Sequence, residues 1–116
     1  MSFTVIDHTP HIKGSLFRIE IQATHFDILF THHAFNRMVK WKISMEMVTE
    51  TLLFPEEVLI GHHDRFIAHR CFGSHVLRVV YEYDYNLPVL ITVYFPSKQR
   101  YFQGGGTYED RIFPRY

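Results

Sequence analysis

The sequence predicts an α+β domain in which two short helices pack on a three- to four-stranded antiparallel sheet. Three observations lead to this fold class: alternating apolar and polar residues early in the chain, two segments with helix start signals in its middle, and several β-branched and aromatic runs after residue 57. No internal repeat, low-complexity tract or linker divides the 116 residues. We therefore expect a single domain over residues 1–116.

The N-terminal part is expected to contribute strands. The opening segment, with Pro10 and Gly14, is interpreted as an irregular or edge-pairing arm. Apolar and polar residues alternate over 16–22, which is typical of a strand with one buried face. The apolar run at 26–30 predicts either another strand or the segment that leads into a helix.

Two helices are predicted in tandem. The Thr31 hydroxyl can cap the first, and Ser44 can cap the second, whose first turn carries the favourable charge of Glu46. Pro55 is expected to end the second helix. The residues predicted to face the core at helical spacing are Ala34, Met38 and Trp41 in the first helix and Met45, Val48 and Leu52 in the second.

The remaining segments are interpreted as sheet. A turn at 86–88 separates two runs rich in β-branched and aromatic residues, and the run at 89–95 is apolar enough for a central strand buried on both faces. The spacing indicates a three- or four-stranded antiparallel meander. Its segments are 58–60, 65–72, 76–85 and 89–95.

Composition excludes several classes of protein. Twelve basic residues balance twelve acidic ones, so a strongly basic nucleic-acid binder is not indicated. The single cysteine, Cys71, cannot form an internal disulfide, which fits a reducing compartment. We see no apolar run long enough for a membrane helix and no signal peptide, so we expect a cytoplasmic protein without membrane contact.

Five residues are candidates for a phosphate site. His33 and Arg37 lie one helical turn apart, where an imidazole can move a proton and a guanidinium can bind phosphate. Spacing alone favours a solvated helix face instead. Arg78, within an apolar run, is either an outward-facing side chain or an anion-binding one. Thr92 is either buried and hydrogen-bonded or lines a site beside Tyr94, which shares its strand face.

A metal site and a cysteine nucleophile are the weaker hypotheses. The sequence has no HExxH or CxxC motif, so no metal or other cofactor is expected. The segment His62-His63-Asp64 is interpreted as a turn between strands. Cys71 is interpreted as a small buried apolar residue rather than a nucleophile paired with histidine. Most aromatic rings are expected in the core, although some could stack on RNA bases.

The segments THHAFNRMVKWKIS, PEEVLIG, LRVVYEY and ITVYFP, in this order, resemble the bacterial family catalogued as domain of unknown function 4258. The resemblance covers about residues 27–95 and leaves 96–116 as a C-terminal extension without an assigned role. Where the family commonly has Arg-Gly, this chain has Trp41-Lys42. The matching positions are Thr31, His33, Ala34, Arg37, Met38, Ile43, Ser44, Pro55, Arg78, Val79, Thr92 and Tyr94.

The resemblance implies a relationship to the RelE/ParE and BrnT-type toxins, which have helices against a curved antiparallel sheet. It implies a metal-independent endoribonuclease of a toxin–antitoxin system, with RNA as substrate and an antitoxin protein as partner. His33 would then be the general base or acid, and Arg37 and Arg78 would hold the scissile phosphate. Thr92 and Tyr94 would line the site. The alternative is a non-catalytic protein- or RNA-binding domain of the same fold.

Overall fold

A seven-stranded mixed sheet is the framework of the protein. The computed structural model describes residues 2–113. The strands are β1 (Thr4–His11), β2 (Gly14–Ile21), β3 (Thr24–Thr31), β4 (Glu57–Ile60), β5 (Phe66–Phe72), β6 (His75–Asp84) and β7 (Leu87–Tyr94). The helices are α1 (His32–Trp41), α2 (Met45–Leu53) and the single turn α3 (Lys98–Tyr101).

The strands lie in the order β1-β2-β3-β7-β6-β5-β4. Neighbouring strands are antiparallel except β3 and β7, which run parallel where Leu29 and Phe30 pair with Val89 and Leu90. The central position of β7 explains its nearly continuous apolar sequence, because a central strand is covered on both faces. The four strands from β4 to β7 form an antiparallel meander.

The predicted fold class is wrong, because the sheet has seven strands of mixed direction rather than three or four antiparallel ones. The segment at 26–30 lies in β3, which confirms the strand alternative, and β3 leads directly into α1 at His32. The N-terminal arm pairs with β2 as the edge strand β1, of which all eight residues are exposed. A strand exposed on both faces has no apolar alternation, so its sequence gave no period-two signal.

The helix boundaries follow the predicted signals. The Thr31 hydroxyl accepts a hydrogen bond from the Ala34 amide at 3.1 Å, and the Ser44 hydroxyl accepts one from the Met47 amide at 3.1 Å. Lys42 ends α1 in the left-handed conformation, with φ of 55°. In the described residues, no helix is both long and apolar enough to cross a membrane.

The helices α1 and α2 pack with the sheet in one buried cluster. Its members are almost fully shielded from solvent. Burial of their apolar surface is therefore the main hydrophobic contribution to the stability of this fold. Trp41 was predicted to belong to this core and does not, because 40% of its surface is exposed. The cluster includes Ile19, Ile28, Phe30, Ala34, Met38, Val48, Leu52, Leu77, Val79 and Tyr81.

Residues 95–113 form a segment that we call the C-terminal strap. It leaves β7, contacts β6 through α3, and pairs with the outer edge of β4, where Tyr108 forms a bridge with Val58. It then packs Ile112 into the apolar core. The strap thereby closes one edge of the sheet, whereas the edge formed by β1 stays open.

Candidate functional site

A cleft of about 230 Å³ lies where α1 and β7 both end. Five of its six lining residues are aromatic or proline, and the sixth is an arginine. Such a site combines apolar surface with one charged group, as ligand sites commonly do. The lining residues are Trp41, Arg78, Tyr94, Phe95, Pro96 and Tyr101.

Sheet register brings the central residues of the cleft together. Arg78 on β6 is directly opposite Tyr94 on β7, so the two side chains project from the same face as cross-strand neighbours. Tyr101 approaches from α3, which is held to the sheet by a hydrogen bond from the Lys98 amide to the Ser74 carbonyl. The ring centroid of Tyr101 is 4.0 Å from the Arg78 guanidinium carbon, in cation–π contact.

Arg78 is a half-buried cation without an acidic partner. Within residues 2–113 no carboxylate lies at ion-pair distance from its guanidinium, and the guanidinium donates no hydrogen bond. Burial lowers the pKa of Arg78, although the guanidinium remains protonated at neutral pH. Its donors are therefore free to bind an anion, and partial desolvation strengthens that interaction.

The two chain segments that supply most of the cleft are basic, although the whole chain is neutral. Residues 32–44 and 94–108, which supply every lining residue except Arg78, contain no aspartate or glutamate. The zero net charge thus conceals a local excess of positive charge that favours an anionic ligand. The basic residues of these two segments are Arg37, Lys40, Lys42, Lys98 and Arg100.

The structure brings two of the five predicted site residues into the cleft, namely Arg78 and Tyr94. Thr92 lies two residues before Tyr94, but its hydroxyl is buried, has no hydrogen-bond partner among the described residues and does not line the cleft. His33 and Arg37 do not line the cleft either. They precede Trp41 by eight and four residues, or about 12 Å and 6 Å along the helix axis.

Sequence reasoning missed Trp41 and Tyr101. Trp41 was taken for a core residue because its spacing from Ala34 fits the apolar stripe, and Tyr101 lies in the extension to which no role was assigned. A signal for both was present in the acid-free segments that contain them. A count of charges by segment would have located the basic surface that the total charge conceals.

A buried acid–base pair lies in the same row of the sheet as Arg78. Cross-strand register aligns Glu57, His69, Arg78 and Tyr94 on the adjacent strands β4, β5, β6 and β7. Glu57 and His69 are both fully buried, and a carboxylate oxygen of Glu57 is 2.6 Å from His69 Nδ1. The pair is thus a direct neighbour of the free guanidinium.

Hydrogen bonds keep Glu57 ionised in spite of its burial. Burial alone raises its pKa, but the amides of Gln103 and Gly105, at 2.8 and 2.9 Å, and the His69 ring together lower the pKa below its ordinary value. Burial lowers the pKa of His69, and the charge of Arg78 adds to this effect, whereas the bond to Glu57 raises the pKa. The net direction is downward, which favours the neutral ring. Nδ1 then donates to Glu57, and Nε2 is an acceptor without a partner among the described residues.

The alternatives of metal and thiol chemistry find little support in the geometry. In the part of the chain described, no three His, Cys, Asp or Glu side chains come close enough together to hold a metal ion. Burial raises the pKa of the Cys71 thiol, which disfavours the reactive thiolate. His63 and Asp64 have a φ of 59° in the turn between β4 and β5, which confirms the predicted turn there.

Comparison with known proteins places the chain in a family. The family model described as Domain of unknown function (DUF4258) matches residues 30–95, which are 66 of the 116 residues. The chain belongs to the DUF4258 family. No curated protein and no solved structure matches it. The DUF4258 region contains Trp41, Arg78 and Tyr94, whereas Tyr101 and the strands β1 and β2 lie outside it.

Proposed function

We propose that this protein is a toxin-like, metal-independent endoribonuclease that binds single-stranded RNA in the cleft around Arg78. The observation that carries the proposal is the half-buried guanidinium of Arg78, which has no acidic partner within residues 2–113 and lies among aromatic rings. A phosphate can accept its free hydrogen bonds, and Trp41 and Tyr94, each 40% exposed, offer ring faces to unpaired bases.

The reaction class is taken from the metal-independent toxins to which the DUF4258 resemblance implies a relationship. In this reaction the ribose 2′-OH attacks the adjacent phosphorus, a new 2′-O–P bond forms, and the P–O5′ bond breaks. The products are a 2′,3′-cyclic phosphate and a free 5′-OH. Arg78 would stabilise the charge that develops on the phosphate, and the neighbouring Tyr94 hydroxyl would donate the proton that the leaving oxygen needs.

The helix α1 would extend the RNA-binding surface beyond the cleft. Arg37 and His33 share one side of the helix with Trp41, because residues four apart lie one turn from each other. The axial distance of about 12 Å from Trp41 to His33 would place His33 over a neighbouring nucleotide rather than over the phosphate at Arg78. We therefore assign Arg37 and His33 to RNA binding along α1.

Binding is tested by fluorescence anisotropy with a labelled single-stranded RNA, comparing wild type with Arg78→Gln and Arg65→Gln. Arg65 is a matched control, because it is similarly half-exposed but already paired with Glu82 at 3.0 Å. We expect Arg78→Gln to weaken binding about 10-fold or more, equivalent to about 1.4 kcal/mol. Arg65→Gln should remain within about twofold. Equal losses for both variants would show non-specific charge attraction.

Cleavage is tested on the same RNA with a chelator present, by detecting the 2′,3′-cyclic phosphate. Arg78→Gln should reduce the single-turnover rate by about 100-fold, as expected when a group that stabilises transition-state charge is removed. Growth arrest on induced expression of wild type but not of Arg78→Gln would support a toxin. RNA binding without cleavage or arrest would instead support the alternative, a non-catalytic RNA-binding domain of this family.

A further inference from the structure

The unpaired nitrogen of His69 is the strongest unexplained feature of the described structure. Buried polar atoms are normally hydrogen-bonded, and an exception at a functional surface suggests that a ligand supplies the partner. Nε2 of His69 is buried and unpaired, while Nδ1 of the same ring is held by Glu57 at 2.6 Å. The hydrogen bond at Nδ1 thus fixes the orientation of the ring, and Nε2 is left to accept a proton or a hydrogen bond.

The free nitrogen is on the side of the ring opposite the contact with Glu57. The two nitrogens of an imidazole point away from each other, and Nδ1 is directed at Glu57 on β4. Nε2 is consequently directed away from β4, and the next residue in that row is Arg78 on β6. The row thus places His69 next to the residue that we assign to the phosphate, and the charge of Arg78 acts on the His69 ring.

We propose that His69 is the proton acceptor for the ribose 2′-OH of RNA bound at Arg78, with Glu57 as the residue that orients its ring. This inference rests on the proposed ribonuclease function. The 2′-OH proton would pass to Nε2 while the 2′ oxygen forms its bond to phosphorus and the P–O5′ bond breaks. The resulting imidazolium would be stabilised by the Glu57 carboxylate, as in other carboxylate–histidine pairs.

The C-terminal strap has to move for RNA to reach Nε2. The ring centroids of Phe102 and His69 are 6.5 Å apart, and Tyr101 stacks on Arg78. Both covering residues precede the backbone amides of Gln103 and Gly105, which hold Glu57. Access of RNA to Nε2 therefore requires Tyr101 and Phe102 to turn outward while the amides of Gln103 and Gly105 keep their hydrogen bonds to Glu57. RNA bases would then take the place of the two rings on the aromatic surface.

The surroundings of His69 define the expected dependence of the rate on pH. Glu57 faces it from β4 and Arg78 faces it from β6. Cys71 lies two residues further along β5 on the same face, and the strap places the uncharged Phe102 ring 6.5 Å from the His69 ring. Burial and Arg78 lower the pKa of His69. The single-turnover rate should therefore rise with pH and then become constant. The apparent pKa of this rise should be below the ordinary histidine value of about 6.5.

The decisive variant is His69→Asn, because the asparagine amide can still donate to Glu57 in the position of Nδ1 but has nothing in the position of Nε2. We expect a 10²–10⁴-fold slower cleavage step, as for loss of a general base, with the RNA dissociation constant unchanged within about twofold. The acid limb of the pH profile should disappear. Added free imidazole should raise the cleavage rate of His69→Asn at least tenfold. The control His62→Asn, which lies in an exposed turn, should cleave RNA at the wild-type rate.

The outcomes separate this inference from the proposed function. Cleavage by His69→Asn at the wild-type rate would overturn the inference alone, and so would parallel losses of binding and cleavage. If His69→Asn does not fold, the wild-type pH profile decides: an acid limb below pH 6.5 supports the inference, and its absence overturns it. A wild type that does not cleave RNA would overturn both proposals.

Discussion

Replacement of Glu57 by glutamine tests whether the buried carboxylate stabilises the fold. Glu57 is fully buried and accepts three hydrogen bonds, from the His69 ring and from the amides of Gln103 and Gly105. Its lowered pKa shows that these bonds favour the charged form by more than burial disfavours it. Removal of the charge should therefore destabilise the protein, even though a neutral amide is easier to bury.

The magnitude follows from the three donors. A glutamine oxygen in the position of Oε2 can keep the bonds from His69 and Gln103, but its NH₂ group would then face the Gly105 amide, another donor. One unsatisfied buried donor costs about 1–3 kcal/mol, and the two retained bonds lose their charge assistance, about 1 kcal/mol each. We expect the free energy of unfolding to fall by about 3–5 kcal/mol.

Urea denaturation at pH 7, followed by circular dichroism, measures this loss. With an m value of about 1.5 kcal/mol/M, the midpoint should fall by about 2–3 M. Glu109→Gln is the matched control, because Glu109 is exposed and its replacement should change stability by no more than about 0.5 kcal/mol. A decrease below about 1 kcal/mol for Glu57→Gln would refute the energetic role of the three hydrogen bonds.

Three further changes test other parts of the fold. Gly14→Ala should destabilise the protein by more than about 2 kcal/mol in urea, because the new Cβ would lie 1.9 Å from the Phe30 carbonyl oxygen; unchanged stability would contradict the close β2–β3 approach. Thr31→Val should reduce the free energy of unfolding by about 1–2 kcal/mol and lower the thermal midpoint, because the Thr31 hydroxyl caps α1 and also donates to the Leu90 carbonyl at 2.8 Å. A decrease no larger than that caused by Ser44→Ala would count against the contact with Leu90. Stability should decrease as the pH falls below about 6.5, because His69 binds a proton more readily in the unfolded chain than in the fold, where its pKa is lowered. In urea titrations at pH 7 and 5.5, His69→Asn should show a smaller loss of stability between the two pH values than wild type.

Local features of the fold could be read from the sequence because they depend on neighbouring residues. The caps at Thr31 and Ser44 and the turn at His62–Asp64 were predicted correctly, since each depends on backbone and side-chain groups only a few residues apart. The family was recognised from the same kind of short pattern and is shown by the match over residues 30–95. The single-domain interpretation and the proposed activity remain predictions.

The sequence by itself did not determine the number of strands or the composition of the cleft. The strand β1 has no buried face, so nothing in its apolar pattern could announce it. Tyr101 is 23 residues from Arg78 along the chain, and their contact exists because the strap folds back over β6. The row from Glu57 to Tyr94 depends on the register of four strands.

The sequence therefore determined the ends of α1 and α2, most of the strand-forming segments after residue 57 and the family, since these follow from interactions between residues close together in the chain. Tertiary structure alone decided that Trp41 lines the cleft rather than the core and that Glu57 binds the ring of His69. It also decided that Arg78 has no acidic partner among the described residues. The physical reason is that burial, pairing and pKa depend on long-range contacts, which a residue's neighbours in sequence do not specify.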